Sequence, residues 1–119
     1  MPNGGSDIAL KRNVRLLENV LNKVLALRPV TWRWKNDTDH RVNYGFIAQE
    51  VEKIMPDLVT EEAWKNGDQV KFLSTNGMVP YAIGAIKEQQ KEIRKLLATL
   101  KKQQKEIDTL KRTLEKLKG

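Results

Sequence analysis

Residues 83–118 read IGAIKEQQKEIRKLLATLKKQQKEIDTLKRTLEKLK, and the sevenfold period of this stretch decides the architecture. Ile86, Ile93, Leu100, Ile107 and Leu114 occupy one position of the repeat. Gln89, Leu96, Gln103, Leu110 and Leu117 lie three residues further on. A largely apolar a/d seam over five heptads, with no Gly or Pro between Gly84 and Gly119, predicts one long helix. At 1.5 Å per residue it is a rod of about 50 Å. Its apolar stripe needs partner helices; the competing reading is that it folds back on the chain's own body.

Gln89 and Gln103 fall on the seam, where a polar layer fixes register at some cost in stability. Ile at a with Leu at d leans towards two strands, and Gln layers suit other states, so the seam alone does not set strand number. Glu106 and Lys111 fall at g and the following e position, as an interchain pair in a parallel coiled coil requires.

Outward from the rod, 119 residues leave room for one small domain upstream. Three segments are expected: 1–5, either the residue of an upstream segment or an added leader; 6–84, a body with a modest core; and 85–119, the coiled coil. No apolar run is long enough to span a membrane, and no basic-then-apolar start marks a signal peptide. The chain has no Cys and a single His, His40, which argues against a zinc site and leaves the redox compartment open. The net charge of +7 resides mostly in residues 85–119, with eleven Lys/Arg against five Asp/Glu. A basic helix raises the question of nucleic acid, but no aromatic is interleaved for stacking and no basic region precedes the heptads. A solvated coiled-coil exterior is the expected role of these lysines.

The body reads in order as follows. Leu10, Val14, Leu17, Leu21 and Val24 recur at helical spacing, predicting a helix over 7–27 with Ser6 as N-cap and Arg28-Pro29 as its end. Val30 to Lys35 alternates, as does Val42 to Phe46, giving two strands around the polar loop 36–39. Ile47, Val51, Ile54 and Met55 form the stripe of a second helix stopped by Pro56. Leu58 to Lys65 and Gln69 to Leu73 flank Asn66-Gly67, a hairpin signal. Ser74 to Asn76 offers caps for the long helix, with Pro80 tolerable near its first turns. The expected fold is α+β: a small helix-strand-helix-hairpin body followed by a long C-terminal coiled-coil helix.

Ser6 and Lys11 are the residues with chemistry to offer. A serine hydroxyl needs a base to become a nucleophile. A lysine serves only when neutral, and a reference pKa of about 10.4 leaves on the order of one in a few thousand neutral at pH 7. Burial or neighbouring positive charge has to shift that balance. A serine cap with an Asp7–Lys11 ion pair explains the same residues.

Four stretches in a particular order change the weighing. They are Ser6-Asp7-Ile8-Ala9-Leu10-Lys11-Arg12-Asn13; Trp32-Arg33-Trp34-Lys35; Gly45-Phe46-Ile47-Ala48-Gln49-Glu50-Val51 with Pro56 following; and Val79-Pro80-Tyr81 through Ala85-Ile86-Lys87-Glu88. Together they resemble the intramolecular chaperone auto-processing domain, also called the endosialidase chaperone or S74 peptidase domain. That domain closes phage tail fibres, tailspikes and neck appendages, and occurs in some membrane-bound transcription factors. The resemblance runs from Ser6 to about Glu88.

It implies a homotrimer that aligns the upstream fibre or appendage segment of the same polypeptide and then releases itself by autoproteolysis. The scissile bond is implied to be Gly5–Ser6, with Ser6 as nucleophile, Lys11 as general base and Asp7 orienting the site. The trimer interface would be the seam: Ile86, Gln89, Ile93, Leu96, Leu100, Gln103, Ile107, Leu110, Leu114 and Leu117. No cofactor, metal, specific nucleic acid or membrane is implied. Synthesis would be in the host cytoplasm during virion assembly, with the parent protein in the virion tail or neck. Ala9 stands where family members often carry Arg, and Tyr44 where they often carry His. Gln49 and Glu50 match the motif and are expected to hydrogen-bond at a helix start. A non-cleaving trimerisation module is the alternative function.

Overall fold

The computed structural model describes residues 4–119; of the expected segment 1–5, Met1 to Asn3 lie outside the described residues. The fold is α+β, in the order α1 (Leu21–Leu25), β1 (Val30–Trp32), β2 (Asn43–Gly45), α2 (Ala48–Ile54), β3 (Val59–Ala63), β4 (Gln69–Leu73) and α3 (Thr75–Lys118). A short 3₁₀ turn, Ile8–Leu10, precedes α1, and a second, Pro56–Leu58, joins α2 to β3. The chain is elongated, 85 × 44 × 24 Å, because α3 alone runs 44 residues.

The helix expected over 7–27 is not formed. Only Leu21–Leu25 is α-helical, and the stretch before it is an irregular strap apart from the turn at Ile8–Leu10. Asn13 and Asn19 take left-handed backbone angles, φ 55° and 58°, each of which interrupts a helical ladder. Asn is among the few side chains that tolerate this region. The apolar stripe that predicted the helix has nothing to cover it: Leu10, Val14 and Leu17 are exposed. A helix without a packed face gains little from propensity alone.

Two antiparallel hairpins form separate two-stranded sheets. In the first, Val30 pairs with Gly45, Thr31 with Tyr44 and Trp32 with Asn43. Its first strand stops three residues short of the expected Lys35. There Asp37 N–H donates to Trp34 O, and Arg33 pairs with the Asp37 carboxylate at 2.8 Å. The second hairpin pairs Val59 with Leu73 through Ala63 with Gln69. Its turn follows the Asn66-Gly67 signal: Gly67 N–H donates to Trp64 O, and Gly67 takes the left-handed φ of 90° that closes a three-residue loop. Asp68 N–H donates to the Asn66 side chain, completing the turn.

A row of aromatic rings joins the hairpins. Trp32 meets Trp34 edge-on at 4.5 Å, Trp34 stacks on Trp64 at 5.8 Å, and Trp64 lies 5.8 Å from Phe72. Val51 of α2 and Met55, which caps it, are buried where α2 packs against β3 and β4, as their stripe predicts. Lys71 of β4 bridges Glu52 of α2 and Glu61 of β3 at 3.0 and 3.2 Å.

The rod starts at Ser74, whose hydroxyl accepts from Gly77 N–H. Pro80 lies in the second turn, where its missing N–H leaves one carbonyl unpaired in the ladder. Close approach to the body needs glycine: a Cβ at Gly77 would sit 2.5 Å from a Leu58 methyl, and one at Gly84 2.9 Å from a Val20 methyl. Ala85 is the last buried residue of the helix. From Gln89 onward every residue is exposed, the seam residues among them, so the fold-back of the stripe does not occur within the chain.

Candidate functional site

Asp7 and Lys11 bracket the 3₁₀ turn Ile8–Leu10. Asp7 is its N-cap, accepting from Ala9 N–H at 2.9 Å, so the capping role expected of Ser6 falls to the next residue. Lys11 N–H closes the turn on Ile8 O. The turn brings the lysine chain back along the strap, and Lys11 Nζ donates to Ser6 Oγ at 2.8 Å. Among the described residues Asp7 makes no ion pair with Lys11; its carboxylate faces the backbone. Gly5, Ser6, Asp7 and Lys11 are all exposed.

The strap is tied down at one point, which sequence reasoning missed. Glu88 of α3 accepts Leu21 N–H at 2.7 Å and Val20 N–H at 3.1 Å. These backbone donors hold the Glu88 carboxyl below the usual carboxylate range. Eight residues on, Arg28 forms a two-pronged pair with Glu50 of α2, Nη2 to Oε2 at 2.6 Å and Nε to Oε1 at 3.0 Å. Hydrogen bonding to Arg28 lowers the Glu50 pKa. Glu50 thus sits in the first turn of α2, as expected, but its partner is a distant side chain. Gln49 is exposed. Tyr44 is 82% exposed on the first hairpin, and His40 Nδ1 faces the Arg33 guanidinium. Neither is joined to Ser6 by a hydrogen bond. The seam residues lie on α3, apart from the Ser6–Lys11 pair.

Both depressed carboxylates make the ties acid-sensitive. Their contribution is complete above the ordinary Glu value of about 4.3 and is lost as pH falls through the lower folded values. Thermal melts should therefore show a midpoint that falls as pH drops below about 5. Glu50→Gln should flatten part of that fall; an unchanged slope would mean the Arg28 pair contributes nothing.

Among the described residues no cluster of His, Cys, Asp and Glu could hold a metal ion, and no helix is long and apolar enough to cross a membrane. What the arrangement offers is a Ser–Lys pair next to a Gly–Ser peptide bond, on a strap hung from a long helix with a free apolar seam. Residues 6–60 match the family model described as chaperone of endosialidase, peptidase S74, and this part of the chain belongs to that family. The chain is similar to the long tail fiber protein Gp37 of Escherichia phage AR1, 33% identical over 89 residues, covering 70% of this chain and 8% of that protein. The same protein of Enterobacteria phages M1 and Ox2 is 35% identical over 96 residues, 76% of this chain and 38% of each relative. The chain thus spans only a minor part of the relatives it matches.

Proposed function

We propose that the chain is a chaperone for assembly of a phage fibre, which trimerises through α3 and then cuts itself off at Gly5–Ser6. In this reading residues 6–84 are the processing body and 85–119 the assembly rod. The observation that carries it is the 2.8 Å hydrogen bond from Lys11 Nζ to Ser6 Oγ, one residue after the Gly5 carbonyl. The family match and the tail-fibre relatives support the assembly role. The uncovered seam supports the need for partner helices.

The chemistry follows from Ser6 supplying both nucleophile and scissile nitrogen. Neutral Lys11 takes the Oγ proton as Oγ attacks the Gly5 carbonyl carbon, and then passes a proton to the Ser6 nitrogen as the C–N bond breaks. The acyl group is then an ester on Ser6, with the Ser6 amine free. Water hydrolyses the ester, leaving a Gly5 carboxylate and a chain that begins at Ser6. Asp7 holds the turn that returns Lys11 to Ser6. A lysine acts as base only when neutral, and Ser6 and Lys11 both lie exposed in the single chain. The site is therefore completed on assembly.

The test is a fusion to the natural upstream fibre segment, followed by sedimentation and gel electrophoresis over time. Trimers that shed the C-terminal fragment are expected. Stable trimers that stay whole would leave only the non-cleaving assembly module, and a monomer at micromolar concentration would remove both.

The lysines of the rod are read as a solvated exterior. DNA should bind weakly and fall away steeply with salt, as counterion release requires. Tight binding of one DNA sequence at physiological salt would reverse this reading.

A further inference from the structure

The strap that carries Ser6 and Lys11 has almost no packing of its own. Residues 4–19 are all exposed, and Val20, 1% exposed, is the first side chain the fold buries. Val20 lies on Gly84, where any Cβ would come within 2.9 Å of its methyl group. One turn further along α3, Glu88 receives the backbone N–H groups of Val20 and Leu21 on its carboxylate. The left-handed turn at Asn19, followed by right-handed Val20, points successive N–H groups into one concavity suited to an anion. Asn19 N–H adds to the donors that depress the Glu88 pKa.

Gly84 and Glu88 are four residues apart and share one face of α3. In the heptad frame they occupy f and c, on the side away from the a/d seam. The strap can therefore hang from the outside of the rod while the inside is occupied by partner helices. Directly after the Glu88 bonds α1 packs against α3, and the next polar tie is the Arg28–Glu50 pair. Without the Glu88 bonds the strap is held at this point only by the packing of Val20 and α1 on α3, which leaves its end freer to move.

We infer that Glu88, seated beside Gly84, is a positioning residue for self-processing: it latches the strap to the rod and so sets where the Ser6–Lys11 pair meets the assembled trimer. The inference rests on the self-cleavage reading above. Glu88 touches neither the nucleophile nor the scissile bond, and it acts through the Val20 and Leu21 backbone.

The experiment uses the fibre fusion with three substitutions, Glu88→Ala, Glu88→Gln and Gly84→Ala. Cleavage is timed on assembled trimers, and amide exchange of residues 20 and 21 is measured in the uncut Ser6→Ala background. Glu88→Ala should deprotect both amides and slow cleavage about threefold, because a loosened attachment lowers the effective concentration of the Ser6–Lys11 pair at its place on the trimer. Glu88→Gln keeps an acceptor oxygen and should recover part of both. Gly84→Ala favours the helix by propensity, yet its Cβ displaces Val20, so it should slow cleavage without weakening α3. A merely structural role would leave the cleavage rate of assembled trimers unchanged in all three. Wild-type cleavage with a Glu88→Ala protein cutting at the normal rate would overturn the latch alone. Protected amides in Glu88→Ala would overturn it as well. A wild-type fusion that never cuts would overturn the processing reading, and the inference with it.

Discussion

In a fibre fusion, Lys11→Arg is expected to give a folded, assembled and uncut protein. Arginine keeps the positive charge and can still donate to Ser6 Oγ, so the contact seen at 2.8 Å would survive in kind. What it lacks is a neutral form at accessible pH, and so the ability to take the serine proton. Losing a general base costs about a hundredfold to ten-thousandfold in rate. Ser6→Ala should abolish cutting altogether, because the nucleophile is gone. Neither change should disturb folding: both side chains are exposed, and such substitutions usually stay within about 0.5 kcal/mol. If Lys11 only orders the turn, arginine should serve nearly as well. Circular dichroism and a cleavage time course on the same samples separate the two outcomes. A Lys11→Arg fusion that cuts at the normal rate would mean that another group is the base.

The second large effect is expected from Leu100→Asp, at the middle of the seam. Leu100 is exposed in the single chain, so the substitution touches nothing in the body. In the proposed trimer it would place three carboxylates at the axis. Each chain loses about 1.5–3 kcal/mol of side-chain burial, and desolvating each carboxylate costs several kcal/mol more. Summed over three chains, this is enough to dissociate an assembly held mainly by that seam. Sedimentation should find monomers at micromolar concentration, while fluorescence of the aromatic row from Trp32 to Phe72 stays native. Cleavage should be suppressed although Ser6 and Lys11 are untouched. Trimers that persist would move the interface elsewhere, and monomers that still cut would place the whole reaction within one chain.

The parts of the fold that were legible from sequence are those where a local signal and a packing partner agree. The heptads over 86–117 and the helix-forming residues between them point the same way, and α3 runs unbroken to Lys118. Asn66-Gly67 specified its turn, and the 47, 51, 54, 55 stripe with Pro56 placed α2. The strap failed because its stripe of Leu10, Val14 and Leu17 is helical in spacing but uncovered in the chain, while the two Asn residues accept left-handed angles. Periodicity records what a face could bury, and here nothing within the chain accepts it. The Ser6–Lys11 pairing was readable as residue types, but their contact depends on a 3₁₀ turn that spacing alone does not reveal. The role of Glu88 was hidden for a plainer reason: its partners are backbone N–H groups 67 and 68 residues away, which leave no mark in the side-chain pattern.

The central claim, that assembly is sealed by a cut before Ser6, is tested most directly by intact-mass spectrometry. The sample is the assembled fusion with its natural upstream segment, taken after folding. The account predicts two products whose masses meet at the Gly5–Ser6 bond, the smaller beginning at Ser6, and a single uncut mass for Ser6→Ala. An uncut wild-type trimer, or a cut at any other bond, would contradict it.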